Sequence, residues 1–509
     1  MPNRIDVGNS MSPTTIDRLV PAACVVFSLS MALLSDGFAE ADEITHFLIS
    51  KAAWHDWTHL LNIWGRPLCT GYYALTAPLG MAACRVAAVM VMTLTALGTV
   101  QLVDGLRAGF RPAFRHWRAL VWLLLFAQPF FLLHSFLLMT EMLEACLWVW
   151  AMVFLWRRRP YAAALSLGLS GLARPEGWFA IAAWPVLAWL VLPGPGRFRR
   201  VMGSWAVAIL PMVAWWAAGA IGYENPRWMI DYWPWRGESQ YGARPARALL
   251  GPVLATGGWQ VVLTIVGLVA LMRRRFEDKT FRWRALLLAG GPPAGFYLIH
   301  GVMGALGLMG SMSLPRYYVA VAPFLAALAW CGVQVTLAAV ARWPAPRLRR
   351  VAAGVLLVLA LSPLGVLLYE GQLPISKSSD LKRMDIAVEW FLDGPGADVP
   401  DATPVTDPRR VVAVHPYVYF ALGVTQDCPG RRLLDEGRLD EAPAGTVAIV
   451  ENMLWTFEPG YPSPEWLREW GWRKVEGSLA ERFARYRNEN HLMNRRTSDA
   501  WVQVWVKVR

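Results

Sequence analysis

The sequence predicts an α-helical polytopic membrane protein of about 11 transmembrane helices with a small C-terminal α/β domain outside the membrane. Hydrophobic residues make up 55% of the 509 residues and charged residues only 17%, whereas a soluble domain carries about 25% charged residues. Apolar runs long enough to cross a bilayer recur up to residue 369, after which the chain becomes rich in Asp, Glu, Arg, Pro and Gly. A single soluble globule and a disordered chain are both excluded.

The spanning helices are predicted from runs that lack acidic and basic residues. A helix of about 20 apolar residues satisfies all its backbone groups internally, so each such run is expected to cross the bilayer once. The seven runs are residues 19–35, 86–103, 201–222, 251–272, 285–303, 317–341 and 351–369.

Two longer runs, 119–156 and 160–196, are each predicted to form a helical hairpin. The first turns near His134 and Ser135. The second turns at residues 174–177, Arg-Pro-Glu-Gly, where proline and glycine break a helix. These two hairpins bring the expected count to eleven.

The arginine-rich connections predict the orientation. Connections on one side hold 20 Lys and Arg in total, whereas those on the other side hold 8. By the positive-inside rule the richer side is cytoplasmic, together with the N-terminal segment 1–18. Topology therefore explains the net charge of +12 without a nucleic-acid partner. The membrane part is predicted to be 19–369, with outer loops 36–85, 223–250 and 304–316.

Residues 370–509 are predicted to form the soluble extracytoplasmic domain. Short β-like runs at 411–414, 446–450 and 501–506 alternate with helix-like stretches at 380–392 and 463–470.

The six cysteines show no CxxC spacing, and no zinc site is predicted. Cys69 and Cys428 are both predicted on the outer side, which leaves a disulfide between them open as an alternative to free thiols.

The first outer loop places four acids within eight residues at the membrane face, namely Asp36, Glu40, Asp42 and Glu43. Asp42 and Glu43 begin a predicted interfacial helix. One interpretation is helix capping and a favourable first-turn charge. The other is a general base acting on an acceptor hydroxyl where a lipid-borne substrate meets water. The two can both be true.

Further charges are predicted on the same side. Glu141 and Glu144 lie three apart near the outer end of a span, and because a charge in lipid is costly they are expected to face a polar cavity. A structural hydrogen bond to a neighbouring helix is the alternative. The outer arginines Arg66, Arg85, Arg174 and Arg316 suit a phosphate group, with snorkelling to lipid headgroups as the alternative for each.

Neither GxxxxGK[ST] nor GxGxxG after a strand occurs in the sequence, and no DxD-type soluble domain is apparent. The group that is transferred is therefore expected to arrive already attached to lipid.

Four features together resemble the GT-C glycosyltransferases, in particular the protein O-mannosyltransferase and aminoarabinose transferase-like members. They are the acidic pair Asp42-Glu43 in the first outer loop, the Thr-Glu start of the fourth span, the motif LARPEG at 172–177 and the motif PRYY at 315–318. The resemblance covers residues 18–370. Ala41 stands where several relatives carry proline.

The resemblance implies an inverting transfer from a polyprenyl-phosphate sugar to a glycan, lipid or protein acceptor on the extracytoplasmic face. The usage of Arg, Ala and Trp is compatible with a bacterial plasma membrane. It implies no cofactor and leaves a divalent metal open. Asp42 would be the base and Glu43 would support it. The residues expected to bind substrate are Arg66, Glu141, Arg174, Glu176, Arg316 and Tyr317.

Two other functions fit parts of the sequence. A lipid or sugar transporter would also carry charges in its spans, although paired repeats with matching helix breaks are not apparent. A non-catalytic assembly protein whose outer domain binds a partner is the third alternative.

Overall fold

The computed structural model describes most of the chain. The described residues are 15–108, 116–234, 245–273, 279–308, 314–341, 372–393, 407–425, 428–451, 464–475 and 501–508, with isolated positions between them. The predicted span at 351–369 and part of the predicted outer loop 223–250 lie outside the continuous described ranges.

The membrane part is a bundle of helices. Its helices are α1 (Thr15–Leu34), α2 (Ala41–Ala52), α3 (Pro67–Ala74), α4 (Met81–Arg107), α5 (Trp117–Phe126), α6 (Pro129–His134), α7 (Thr140–Trp156), α8 (Pro160–Ala173), α9 (Glu176–Val191), α10 (Arg197–Gly222), α11 (Trp228–Asp231), α12 (Pro245–Thr256), α13 (Trp259–Arg273), α14 (Lys279–Ala285), α15 (Gly291–Leu306) and α16 (Ala322–Val340).

The chain is a multi-pass membrane protein. Within the described residues, five helical stretches are long and apolar enough to cross a membrane, and four apolar helices are shorter. The five are Thr15–Leu34, Met81–Arg107, Arg197–Gly222, Thr280–Leu306 and Pro315–Val340. The count of eleven spans stays a prediction.

Both predicted hairpins contain the expected breaks. The run 119–156 is interrupted between α6 and α7, where His134 ends one helix and Thr140 begins the next. It is also interrupted at Pro129, which the prediction missed. In the second hairpin α8 ends at Ala173 and α9 begins at Glu176, because Arg174 is extended and Pro175 follows it.

The predicted span 251–272 is instead two helices, α12 and α13. Gly257 and Gly258 separate them with φ angles of 77° and 81°, in the left-handed region that only glycine adopts easily. Further along, α13 and α16 pack backbone to backbone. A Cβ atom on Gly267 would lie 1.9 Å from the Leu328 carbonyl oxygen, and one on Gly332 would lie 2.0 Å from that of Leu263. These glycines set the close approach of the two helices.

The described residues after 370 contain helices and a four-stranded sheet. The helices are α17 (Ser379–Leu392), α18 (Pro416–Ala421), α19 (Pro429–Asp435) and α20 (Pro464–Glu469), and the strands are β1 (Val412–Ala413), β2 (Val447–Glu451), β3 (Trp472–Lys474) and β4 (Val502–Lys507). The sheet order is β1-β2-β4-β3, with β1 parallel to β2 and the other pairs antiparallel. All residues of β2 are buried, as expected for a central strand.

In the described part of the chain, Cys69 and Cys428 are not joined by a disulfide. The alternative of a disulfide between Cys69 and Cys428 is therefore wrong; both thiols are buried.

Candidate active site

The two acids in the first turn of α2, Asp42 and Glu43, point in different directions. Glu40 precedes the helix with an extended backbone, and Asp42 and Glu43 follow in the first turn. Successive residues of a helix are about 100° apart, so the two side chains cannot share a face. The Glu43 side chain is 0% exposed and the Asp42 side chain is 36% exposed. Of these two first-turn acids, Asp42 is the one that a ligand can reach.

Glu43 is held by Arg85 of α4. The Arg85 Nε donates to Glu43 Oε1 at 2.9 Å and the Nη2 to Oε2 at 3.2 Å, in the two-pronged geometry that guanidinium and carboxylate favour. Arg85 also donates to the backbone carbonyls of Ser35 and Gly37, at 2.6 Å each. Burial raises the pKa of Glu43, and Arg85 offsets part of that effect. Glu43 and Arg85 thus tie the start of α2 to the membrane helix α4.

Arg316 binds acids at the start of α2. It lies in a 3-10 helix, Pro315–Val321, that leads into α16. Its Nη1 is 3.0 Å from Glu40 Oε2 and its Nη2 is 2.5 Å from Asp42 Oδ2. Its Nε is 3.7 Å from Glu141 Oε1. One guanidinium therefore contacts three carboxylates.

Arg174, in the break between α8 and α9, contacts a second set of three. Its Nη1 is 2.8 Å from Glu141 Oε1, its Nε is 3.4 Å from Glu144 Oε2, and its Nη2 is 2.7 Å from Glu176 Oε1. It also donates to Thr140 Oγ1 at 3.0 Å. The same oxygen, Glu141 Oε1, contacts both Arg174 and Arg316, so this carboxylate bridges the two guanidinium groups.

Aromatic rings close one side of this network. The guanidinium carbons of Arg174 and Arg316 lie 5.1 and 5.9 Å from the centroid of the Tyr317 ring. The ring of His300 from α15 lies 5.3 Å from that of Tyr317, and His300 Nε2 is 3.1 Å from Glu176 Oε1. Tyr317 and Glu176 therefore belong to the cluster, and their part in binding substrate stays a prediction.

Arg66 lies at the same cluster but is held differently. Its φ of 62° is strained for a residue other than glycine, and its Nη1 donates to the carbonyl of Ile63. Burial and then the charge of Arg174 lower its pKa to about 10, so it stays cationic at neutral pH.

Glu40 was noted in the sequence among the four acids but was given no role, and His46 and His300 were missed. His46 follows Asp42 by one helical turn, a spacing that puts the two on one face and could have identified it. Its ring stacks on Trp64 with centroids 4.9 Å apart, and burial lowers its pKa to about 4. His300 gave a weaker signal, a lone histidine in an apolar run, because its partner Glu176 is distant in sequence.

In the described part of the chain, no group of three His, Cys, Asp or Glu side chains is arranged to hold a metal ion.

At the level of sequence, no protein-family model and no curated protein matches the chain. Its fold is nevertheless similar to those of solved membrane proteins. ArnT from Cupriavidus metallidurans in the apo state is 15% identical and superposes with a TM-score of 0.59 over 96% of this chain and 97% of ArnT. ArnT from the same organism bound to undecaprenyl phosphate is also 15% identical, with a TM-score of 0.58 over 96% and 98%.

The archaeal oligosaccharyltransferase AglB from Archaeoglobus fulgidus, in complex with an inhibitory peptide and a dolichol-phosphate, is 12% identical. It superposes with a TM-score of 0.51 over 86% of this chain and 70% of AglB. The predicted resemblance to GT-C glycosyltransferases is therefore confirmed at the level of the fold.

Proposed function

We propose that the chain transfers a sugar from a polyprenyl-phosphate donor to an acceptor hydroxyl on the extracytoplasmic face of a bacterial plasma membrane. The observation that carries this proposal is the pair Arg174 and Arg316, joined by Glu141 and backed by Tyr317. Two guanidinium groups side by side are suited to a phosphate, and Asp42 lies next to them with its carboxylate partly open. Polyprenyl phosphates bound to ArnT and AglB support this class of donor.

The position of the cluster along the helices supports an interfacial site. Glu141 lies in the first turn of α7, whose far end runs into Arg157, Arg158 and Arg159. Arg174 lies just after α8, at the end opposite those arginines. The cluster is therefore at the helix ends remote from an arginine-rich connection, which we assign to the cytoplasm. A transporter site would instead be expected near the middle of the bilayer.

The carboxylates around Arg316 differ in how easily a ligand could replace them. Glu141 is 1% exposed, whereas Glu40 and Asp42 are 40% and 36% exposed and lie on the outer loop. We infer that donor phosphate displaces Glu40 and Asp42 from Arg316 while Glu141 stays in place. Displacement frees the Asp42 carboxylate at the moment when the donor is bound.

The proposed reaction then follows from the freed carboxylate. Asp42 accepts the proton of the acceptor hydroxyl, and the oxygen forms its bond to the anomeric carbon from the face opposite the phosphate. The bond from the anomeric carbon to the phosphate oxygen breaks, and the electron pair remains on the polyprenyl phosphate beside Arg174 and Arg316. The product has inverted anomeric configuration. General-base help is worth about 10²- to 10⁴-fold, and stabilisation of the leaving phosphate adds to it.

Glu43 and Arg66 have other parts in this proposal. Glu43 supports Asp42 by holding α2 on Arg85. Arg66 adds a third positive charge near Arg174 for the phosphate.

Donor binding by Arg316→Ala tests the proposal. A lost charge-assisted hydrogen bond costs about 1.5–3 kcal/mol, so the apparent KM for a radiolabelled polyprenyl-phosphate sugar should rise roughly 10- to 150-fold. Arg227→Ala is the matched control, because Arg227 is 73% exposed and pairs only loosely with Asp231 at 3.9 Å. Equal donor KM values in the two variants would remove Arg316 from the donor site.

A further inference from the structure

The segment that leads into α2 lies between two parts of the molecule. On its inner side Arg85 donates to the carbonyls of Ser35 and Gly37. On its outer side it contacts residues that follow the membrane part, about 340 positions away in sequence. The segment carries Glu40 and is directly followed by Asp42.

The outer contact begins with paired backbones. The Gly37 N–H donates to the Ile375 carbonyl at 2.9 Å, and the Ile375 N–H donates to Ser35 Oγ at 2.9 Å. A Cβ atom on Gly37 would lie 2.2 Å from the carbonyl carbon and oxygen of Ser376. The two backbone segments are therefore so close that only glycine fits at position 37.

Aromatic rings extend the contact to α2 itself. The Phe38 ring lies edge-on to Phe420 and Tyr417 of α18, with centroids 5.2 and 5.8 Å apart. Phe47 of α2 also packs on Phe420, at 5.7 Å. Edge-to-face pairs of this kind favour one relative orientation of the rings.

The outer side of this contact is itself held together. The Tyr417 hydroxyl donates to Asp385 Oδ1 at 2.5 Å, and Lys377 Nζ is 2.7 Å from Asp385 Oδ2. These bonds join α18 to α17 and to the segment that pairs with Gly37. The outer loop therefore packs on a surface whose own parts are joined by hydrogen bonds and an ion pair.

We propose that the C-terminal unit, meaning the described residues between 372 and 508, positions the loop that carries Asp42. Ile375, Tyr417 and Phe420 hold the loop from outside while Arg85 holds it from inside, which fixes α2 relative to Arg316. Gly37, Phe38 and Phe420 are the positioning residues. This inference rests on the proposed function, since it concerns the placement of the proposed base.

Two variants of the full chain in lipid nanodiscs test the inference. Phe420→Ala removes the ring shared by Phe38 and Phe47, and Gly37→Ala forces the paired backbones apart. Phe420→Tyr keeps the ring. Gly295→Ala is the matched glycine control, because a Cβ atom at position 295 meets nothing within 4 Å.

Amide hydrogen exchange of residues 35–47 and sugar transfer are both measured. Misplacement of a reacting group by about 1 Å can cost roughly 10²-fold, so turnover should fall about 10- to 100-fold in Phe420→Ala and Gly37→Ala. Exchange in the loop should rise in the same two variants, with Phe420→Tyr and Gly295→Ala unchanged in both measurements. The donor KM of Phe420→Ala and Gly37→Ala should stay within about threefold of the native value, because Arg174 still binds the donor phosphate.

Faster exchange with normal turnover would overturn the positioning role, and so would lost turnover with unchanged exchange. Failure of the proposed function is seen separately, as normal turnover in Asp42→Asn. The exchange measurement does not depend on transfer activity, so the two failures are distinguishable.

Discussion

Removing Arg85 should leave the buried carboxylate of Glu43 without its cationic partner. In Arg85→Met the side chain of Glu43, 0% exposed in the native protein, loses both guanidinium bonds, and the carbonyls of Ser35 and Gly37 lose their donor. Breaking a buried pair by removing one partner costs about 3–5 kcal/mol, and we expect a loss of that size in the free energy of unfolding. Replacing both residues by Met should cost less, because no unpaired charge stays buried.

The stability of Arg85→Met should change with pH in one direction. Burial already raises the pKa of Glu43, and loss of the offsetting Arg85 charge raises it further. The folded variant then holds a proton that the unfolded chain releases above its ordinary pKa, so stability is greatest below that pKa and falls as pH rises. Reversible unfolding in mixed micelles between pH 5 and pH 8 measures this slope. The reasoning would be refuted if the free energy of unfolding of Arg85→Met lay within about 1 kcal/mol of the native value, or if it changed with pH as steeply as in the native protein.

Two further predictions concern His46 and the contact between α13 and α16. Burial lowers the pKa of His46 from 6.5 to about 4, so the unfolded state binds more protons than the folded state between these pH values. Stability should therefore fall as pH drops from 6.5 toward 4. The fall should be less steep in His46→Phe, and thermal unfolding at a series of pH values measures it. Gly267→Ala places a Cβ atom 1.9 Å from a carbonyl oxygen and should lower the free energy of unfolding by about 1–3 kcal/mol, whereas Gly291→Ala, which meets nothing within 4 Å, should not.

The acids and arginines of the site could be predicted because a charge in an apolar setting is costly and is kept for a reason. Arg174, Glu176 and Arg316 each stand out against apolar flanks, and the structure brings them together. Their partners could not be predicted. Arg316 and Asp42 are 274 positions apart, and only the folded chain brings the 3-10 helix Pro315–Val321 next to the first turn of α2.

The different environments of Asp42 and Glu43 were also beyond the sequence. Adjacent helical residues face different directions, but which of the two faces inward depends on the position of Arg85 on another helix. The break at Gly257 was hidden for a similar reason, since glycine within an apolar run is compatible with a continuous helix and only its φ reveals the turn. The role of the segment around Ile375 depends on a contact that no local pattern signals.

The transfer rate of Asp42→Asn tests the central claim most directly. The variant is compared with Glu43→Gln in nanodiscs supplied with a radiolabelled polyprenyl-phosphate sugar, with donor binding measured on the same samples. Asp42→Asn should lose about 10²- to 10⁴-fold in turnover without weaker donor binding, because the proposed base is lost while Arg174 and Arg316 remain. Turnover near that of the native protein would contradict the assignment of Asp42 as the base.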